Sequence, residues 1–233
     1  MKLKSFRRLS NVIIVFMFVL LICYIGTSNY QYVFSYQNKD VIYNGNRDKN
    51  NISLMFNVYW GSEYIEDILN VLEKYNVHTT FFVGGQWVEK EAEKLKIIYD
   101  KGHEIGNHGY FHKDQEYLSY DQNYDEINVN HKLVQSIIDV EMNLFAPPSG
   151  SFNKATLEAC SNLGYQTIMW SKDTIDWRDK DSNIIYNRAT NNIIGGDLIL
   201  VHPTENTLKA LPLMLEFYKL NNLNVTTVSE CLK

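Results

Sequence analysis

From Asn51 to the C-terminus, short apolar runs of strand length alternate with segments whose apolar residues recur every three or four positions. That alternation restricts the chain to a parallel α/β architecture. Residues 52–58 suit a buried strand, and Ile65, Ile68, Leu69 and Leu72 follow at helical spacing. Residues 79–83 are β-branched and aromatic; residues 89–101 then read as one charged helix carrying Ala92, Leu95 and Ile98, stopped by Gly102. Five more strands are expected at 103–105, 144–146, 167–170, 198–201 and 225–227. Between them fall a long helix containing Ile127, Leu133, Val134, Ile137 and Ile138, a helix from Asn153 to Leu163 closed by Gly164, and helices around 184–190 and 207–220. The pattern fits a closed barrel or an open doubly wound sheet.

A length of 233 residues suits one such domain. A net charge of -5, with no basic stripe beyond the first eight residues, excludes nucleic acid as a partner. Cys23, Cys160 and Cys231 are too far apart for a disulfide scaffold or a cysteine metal site, and Cys160 and Cys231 are expected to be buried as small apolar residues. At the N-terminus Lys2, Lys4, Arg7 and Arg8 precede an apolar run over 12–25. Residues 1–28 therefore read as a signal-anchor or signal peptide, 29–50 as a polar linker and 51–233 as the folded domain. The domain is expected outside the cytoplasmic membrane, anchored by the N-terminal helix, or secreted if that segment is cleaved.

In parallel α/β folds chemistry collects on the loops that follow the strands. Those loops carry Asn57 to Gly61, Asn107 to His112, Pro147 to Gly150, Asp173 to Trp177, and His202 with Pro203. His108 and His112 are four apart, which puts two imidazoles on one side of a helical turn and suits a divalent metal. His202 ends an apolar strand, placing its ring at the rim for proton transfer, and Asp173 or Asp176, on a loop of the same rim, is the candidate to orient it. Tyr59, Trp60, Tyr110 and Trp177 offer stacking walls for sugar rings. His103 and His131 read as a strand residue and a helix-surface residue.

Four stretches, GHEIGNHGYFH at 102–112, APPSGSFN at 146–153, WSKDTIDW at 170–177 and GDLILVHP at 196–203, resemble in order and spacing the NodB-homology polysaccharide deacetylases. MFNVYWG at 55–61 resembles the first motif of their PdaB-like sporulation branch. The resemblance runs from about residue 52 to the end. It implies a distorted (β/α) barrel of about seven parallel strands and metal-dependent removal of N-acetyl groups from amino-sugar polymers such as peptidoglycan or chitin. The implied cofactor is a divalent metal, zinc first, and the implied partner a cell-wall amino-sugar polymer. By position, His108 and His112 resemble the metal-binding histidines and His202 the general acid, with Asp173 or Asp176 holding its imidazole and Pro148 among the substrate contacts. Where the family carries paired aspartates, the catalytic base and the third metal ligand, this chain has Asn57 and Val58. Its usual arginine is Ala146. Two readings follow: a deacetylase with a weak or rearranged site, and a non-catalytic wall-glycan-binding protein.

Overall fold

The computed structural model describes Met17 and residues 41–233. Apart from Met17, the anchor expected over 1–28 lies outside the described residues, as does most of the expected linker. Among the described residues no helix is long and apolar enough to cross a membrane.

The strands are β1 (Val41–Ile42), β2 (Asn51–Val58), β3 (Thr80–Val83), β4 (Glu104–Asn107), β5 (Leu144–Phe145), β6 (Gln166–Ile168), β7 (Lys172–Asp173), β8 (Leu198–Val201) and β9 (Asn224–Val225). The helices are α1 (Ile65–Lys74), α2 (Gly85–Lys90), α3 (Ala92–Asp100), α4 (Tyr120–Ile138), α5 (Lys154–Asn162), α6 (Ser182–Thr190), α7 (Glu205–Leu220) and α8 (Val228–Cys231). All strand pairs are parallel, in the order β1-β6-β5-β4-β3-β2-β8-β7, with β9 on β2. The result is a curled half-barrel with helices on its outside.

Strand β2 shows how sequence alternation becomes two layers. Ile52, Leu54, Phe56 and Val58 point outward into the apolar layer shared with the helices, against Ile65, Ile68, Leu69 and Leu72 of α1. Met55, on the other face, joins Phe82, Leu144, Ala146 and Ile168 in a smaller cluster inside the curl. Asn57 shares Met55's face and so emerges on the inner side, at the carboxyl end of the strand. The pairing of Asn57 with Phe82 and of Phe82 with Gly106 sets the height at which the loops after β2, β3 and β4 begin.

Three expectations need correction. The single helix over 89–101 is two helices, broken at Glu91, whose backbone (φ -125°, ψ 35°) is not helical. Strands β1 and β7 fall outside the expected strands, because Val41–Ile42 lies in a polar stretch that reads as linker and Lys172–Asp173 is a charged pair with no apolar run. Residues 41–50 are built into the domain: Val41 pairs with Thr167, Gly45 N donates to Gly196 O at 2.7 Å, and Arg47 forms a 2.7 Å ion pair with buried Asp197. The charged stretch at 47–49 looks solvated in sequence, yet Arg47 is the counter-charge that a buried aspartate requires. Cys160 and Cys231 are free and buried.

Candidate functional site

The loops at the carboxyl ends of β2, β4, β5, β6, β7 and β8 surround a cleft of about 340 Å³. Asn57, His108, His112, Asp173 and His202 line it, together with Trp60, Trp170 and Trp177. A larger open groove of about 920 Å³ lies between β7 and α6 but contains no histidine.

His202 directly follows β8 and is held by Asp176, not by Asp173. Its Nδ1 lies 2.7 Å from Asp176 Oδ1, and its backbone N–H donates to Asp176 Oδ2 at 2.6 Å. Thr207, in the first turn of α7, donates its hydroxyl to the same Oδ2 at 2.5 Å. Both oxygens of this buried carboxylate are therefore used, which fixes the imidazole plane and leaves Nε2 free. Trp60 stacks on the ring, with centroids 5.7 Å apart and planes 7° from parallel. Asp173 lines the cleft, but its Oδ1 accepts from the N–H of Ile175 at 2.8 Å in a local turn, so the role of orienting His202 falls to Asp176.

His108 and His112 do meet, with ring centroids 5.0 Å apart, although not on a helical turn. They sit in an irregular loop with Gly109 at φ 71° and His112 at φ 55°. His108 is buried, and its Nδ1 is 2.7 Å from Ala146 O, so that nitrogen carries the proton and Nε2 keeps its lone pair. Burial, reinforced by neighbouring His112, pushes His108 down to about 3, and burial also holds His112 below the ordinary imidazole range. Both rings are therefore neutral donors at physiological pH.

Asn57 is buried and its Oδ1 has no hydrogen-bond partner. Val58 is fully buried in the outer apolar layer and does not line the cleft. Among the described residues no group of three His, Cys, Asp or Glu is placed to hold a metal. The donors that fit one are the imidazoles of His108 and His112 together with the orphaned Asn57 oxygen, a neutral set weaker than one containing a carboxylate.

The aromatic expectations divide. Trp60 and Trp177 line the cleft and stay 44% and 56% exposed. Tyr59 also lines it, packed on His112 at 4.9 Å, with its hydroxyl donating to Gln86. Tyr110 is not a cleft wall: its ring covers Gly85 and its hydroxyl donates to Glu89. A Cβ at Gly84 or Gly85 would come within 2.2 Å of the Tyr59 or Tyr110 ring, so only glycine admits both tyrosines there. Pro148 is buried, and Ser149 beside it, at φ 56°, reaches the cleft instead. Sequence reading missed Trp170, Ser149 and Thr207. Trp170 follows a strand and was open to discovery, whereas nothing local marks a helix threonine as the partner of an aspartate 31 residues away.

Curled parallel sheet, paired histidines and carboxylate-held histidine together define a protein of the polysaccharide deacetylase class. The polysaccharide deacetylase family profile matches residues 44–168, more than half of the chain, and the chain belongs to that family. Over 189 residues it is 37% identical to the Bacillus subtilis protein YlxY, covering 81% of this chain and 59% of that one. It is 34% identical over 167 residues to the B. subtilis peptidoglycan-N-acetylmuramic acid deacetylase PdaA, covering 70% and 64%. The chain thus spans less than two thirds of the length of either relative. Among solved structures, a CE4-family pseudoenzyme from Bacillus anthracis superposes with a TM-score of 0.81 at 35% identity, covering 83% of this chain and 69% of that one. A mutant of that pseudoenzyme, described as having restored enzymatic activity, gives the same TM-score at 33% identity, covering 83% and 71%.

Proposed function

We propose that this protein engages N-acetylated amino-sugar polymer of the peptidoglycan type in the cleft, as an impaired N-deacetylase. The observation that carries this reading is the fixed His202–Asp176–Thr207 arrangement, facing two neutral imidazoles across one cleft. His202, oriented through Nδ1, presents Nε2 to the departing amine and, once protonated, delivers its proton there. Trp60 and Trp177 stack on the sugar rings. His108, His112 and the Asn57 oxygen are the groups that would hold a divalent metal, zinc first, which would supply polarisation of the acetyl carbonyl and a more acidic water. What is missing is the base: the Asn57 amide does not accept a proton at neutral pH, and a positioned base contributes roughly 10²–10⁴ in rate. Hydrolysis is accordingly slow.

A second reading, a wall-glycan-binding protein without turnover, is favoured by Val58, whose side chain sits in the wrong layer to ligate anything, and by the likeness to a named pseudoenzyme. The basic residues ahead of the apolar run support placing the domain outside the cytoplasmic membrane, anchored through residues 1–28, in wall remodelling of the kind the sporulation-type first motif suggests.

The deciding experiment measures acetate release from N-acetylated amino-sugar oligomers and from peptidoglycan, with zinc present, alongside binding to the same polymers. Slow release that disappears in His202→Ala supports the impaired enzyme. Binding without release in either protein overturns it in favour of the second reading.

A further inference from the structure

The backbone between His108 and His112 is bonded almost residue by residue. His108 N donates to Val83 O at 3.0 Å and Gly109 N to Asn107 Oδ1 at 2.9 Å. Gly109 O and Tyr110 O accept from Gly85 N at 2.9 Å and Gln86 N at 3.1 Å. The two N–H groups in the middle of the loop, those of Tyr110 and Phe111, both donate to one oxygen, Glu126 Oε2, at 3.0 and 2.8 Å. Glu126 lies on α4 and is only 4% exposed, with its other oxygen 3.4 Å from Lys113 Nζ.

It belongs to a buried polar stripe on one face of α4. Asn123 donates to Gln115 O and Leu118 O, and Asn130 donates to Val83 O and Asn107 Oδ1. A carboxylate is costly to bury, so what holds Glu126 beside Ile127 is the pair of backbone donors it satisfies. It does not line the cleft.

We propose that Glu126 is a positioning residue for the paired imidazoles. Its carboxylate fixes the peptide units between His108 and His112, so that His112 holds its left-handed backbone at φ 55° and the two rings stay together. The consequence for metal rests on the reading of His108 and His112 given above; the ordering of the loop does not. Because both bonds end on one oxygen, a glutamine carbonyl retains them without the charge, whereas alanine leaves two N–H groups unpaired.

The test compares the full chain with Glu126→Gln and Glu126→Ala. Amide exchange of Tyr110 and Phe111 is measured without metal, β8 amides serve as the control for the fold, and zinc is then titrated calorimetrically. In Glu126→Ala the two amides exchange at least about tenfold faster while β8 is unchanged. Zinc affinity in the same variant falls about 10–100-fold, and Glu126→Gln stays within about threefold of the parent in both measurements. Parent-like exchange in Glu126→Ala overturns the proposal. So does a loss in Glu126→Gln as large as in Glu126→Ala, which would assign the effect to charge and not to bonding. If the parent chain binds no zinc, the metal reading fails, and the exchange comparison still decides the positioning role. Should Glu126→Ala not fold, Glu126→Asp, whose shorter side chain draws the acceptor away from both donors, takes its place in the same comparison.

Discussion

On one side of the cleft Asp176 spends both oxygens, on the His202 ring, the His202 N–H and the Thr207 hydroxyl; on the other, Asn57 Oδ1 has no partner and Val58 has turned into the apolar layer. On the reading proposed above, in which these are the acid side and the base side, the difference teaches how a site can lose half its chemistry without losing its fold. Asp176 is over-determined: it orients a ring, satisfies a backbone donor at the end of β8, and anchors the first turn of α7. Removing it would leave three groups unpaired. The base side carries no such burden. Asn57, Val58 and Ala146 are all neutral, so the missing carboxylates and the missing arginine leave no unpaired buried charge behind. Retention of the His202–Asp176–Thr207 arrangement is therefore partly a matter of stability.

The largest effect should fall on the kinetic role of His202. His202→Ala should lower acetate release by about 10²–10⁴, to the detection limit, while zinc affinity measured calorimetrically stays within about threefold, because the histidines across the cleft are untouched. Next comes Val58→Asp, which places a carboxylate among Leu54, Phe56 and Ile65. It should cost about 3–5 kcal/mol in a urea titration at pH 7 and add nothing to zinc affinity. A gain in zinc affinity there would break the assignment of this residue to the outer layer.

The third expectation separates acid loss of the fold from titration in the cleft. His103 lies far from it in the chain fold, buried beside Phe81, its Nδ1 accepting from Thr79 N at 3.2 Å. Burial lowers it from 6.5 to about 4. Between those values the unfolded chain binds a proton that the native His103 refuses, so stability falls as pH drops through the window. Relative to pH 7, the loss at pH 4 amounts to about 3 kcal/mol, and His103→Asn, which keeps an acceptor for Thr79 N, should flatten it in urea titrations from pH 7 to 4. The smallest effect is that of Thr207→Val. Losing one charge-assisted bond to Asp176 should cost about 1.5–3 kcal/mol and change the pH profile of acetate release, leaving zinc affinity alone.

Much of the frame was legible because β-branched and apolar runs of four to eight residues announce themselves, as at β2, β3 and β8. Among the two-residue strands, β5 and β9 lie in apolar or β-branched stretches and were legible, whereas β1 lies in a polar stretch and β7 is the charged pair Lys172–Asp173, and both escaped. His108 and His112 were found by spacing, but for a wrong local reason: their rings meet through a loop with two positive φ angles and not through a helical turn. Asp173 and Asp176 were indistinguishable in sequence because the choice depends on which carboxylate the turn after β7 directs at β8. Strand parity was available for the pair at 57 and 58, since adjacent residues of a strand face opposite layers. The family motif encourages treating them as two positions of one site, and here they are not.

The central claim is that the cleft is a working acid side paired with a base side lacking one carboxylate, at Asn57. The direct measurement is acetate release from N-acetylated amino-sugar oligomers, with zinc, by the parent chain, Asn57→Asp, and Asn57→Asp combined with His202→Ala. The gain expected from Asn57→Asp is about 10²-fold, short of the full value of a base because Ala146 supplies no arginine to tune it, and the added His202→Ala should erase that gain. Release that stays flat or falls in Asn57→Asp, or a gain that survives the loss of His202, would contradict it.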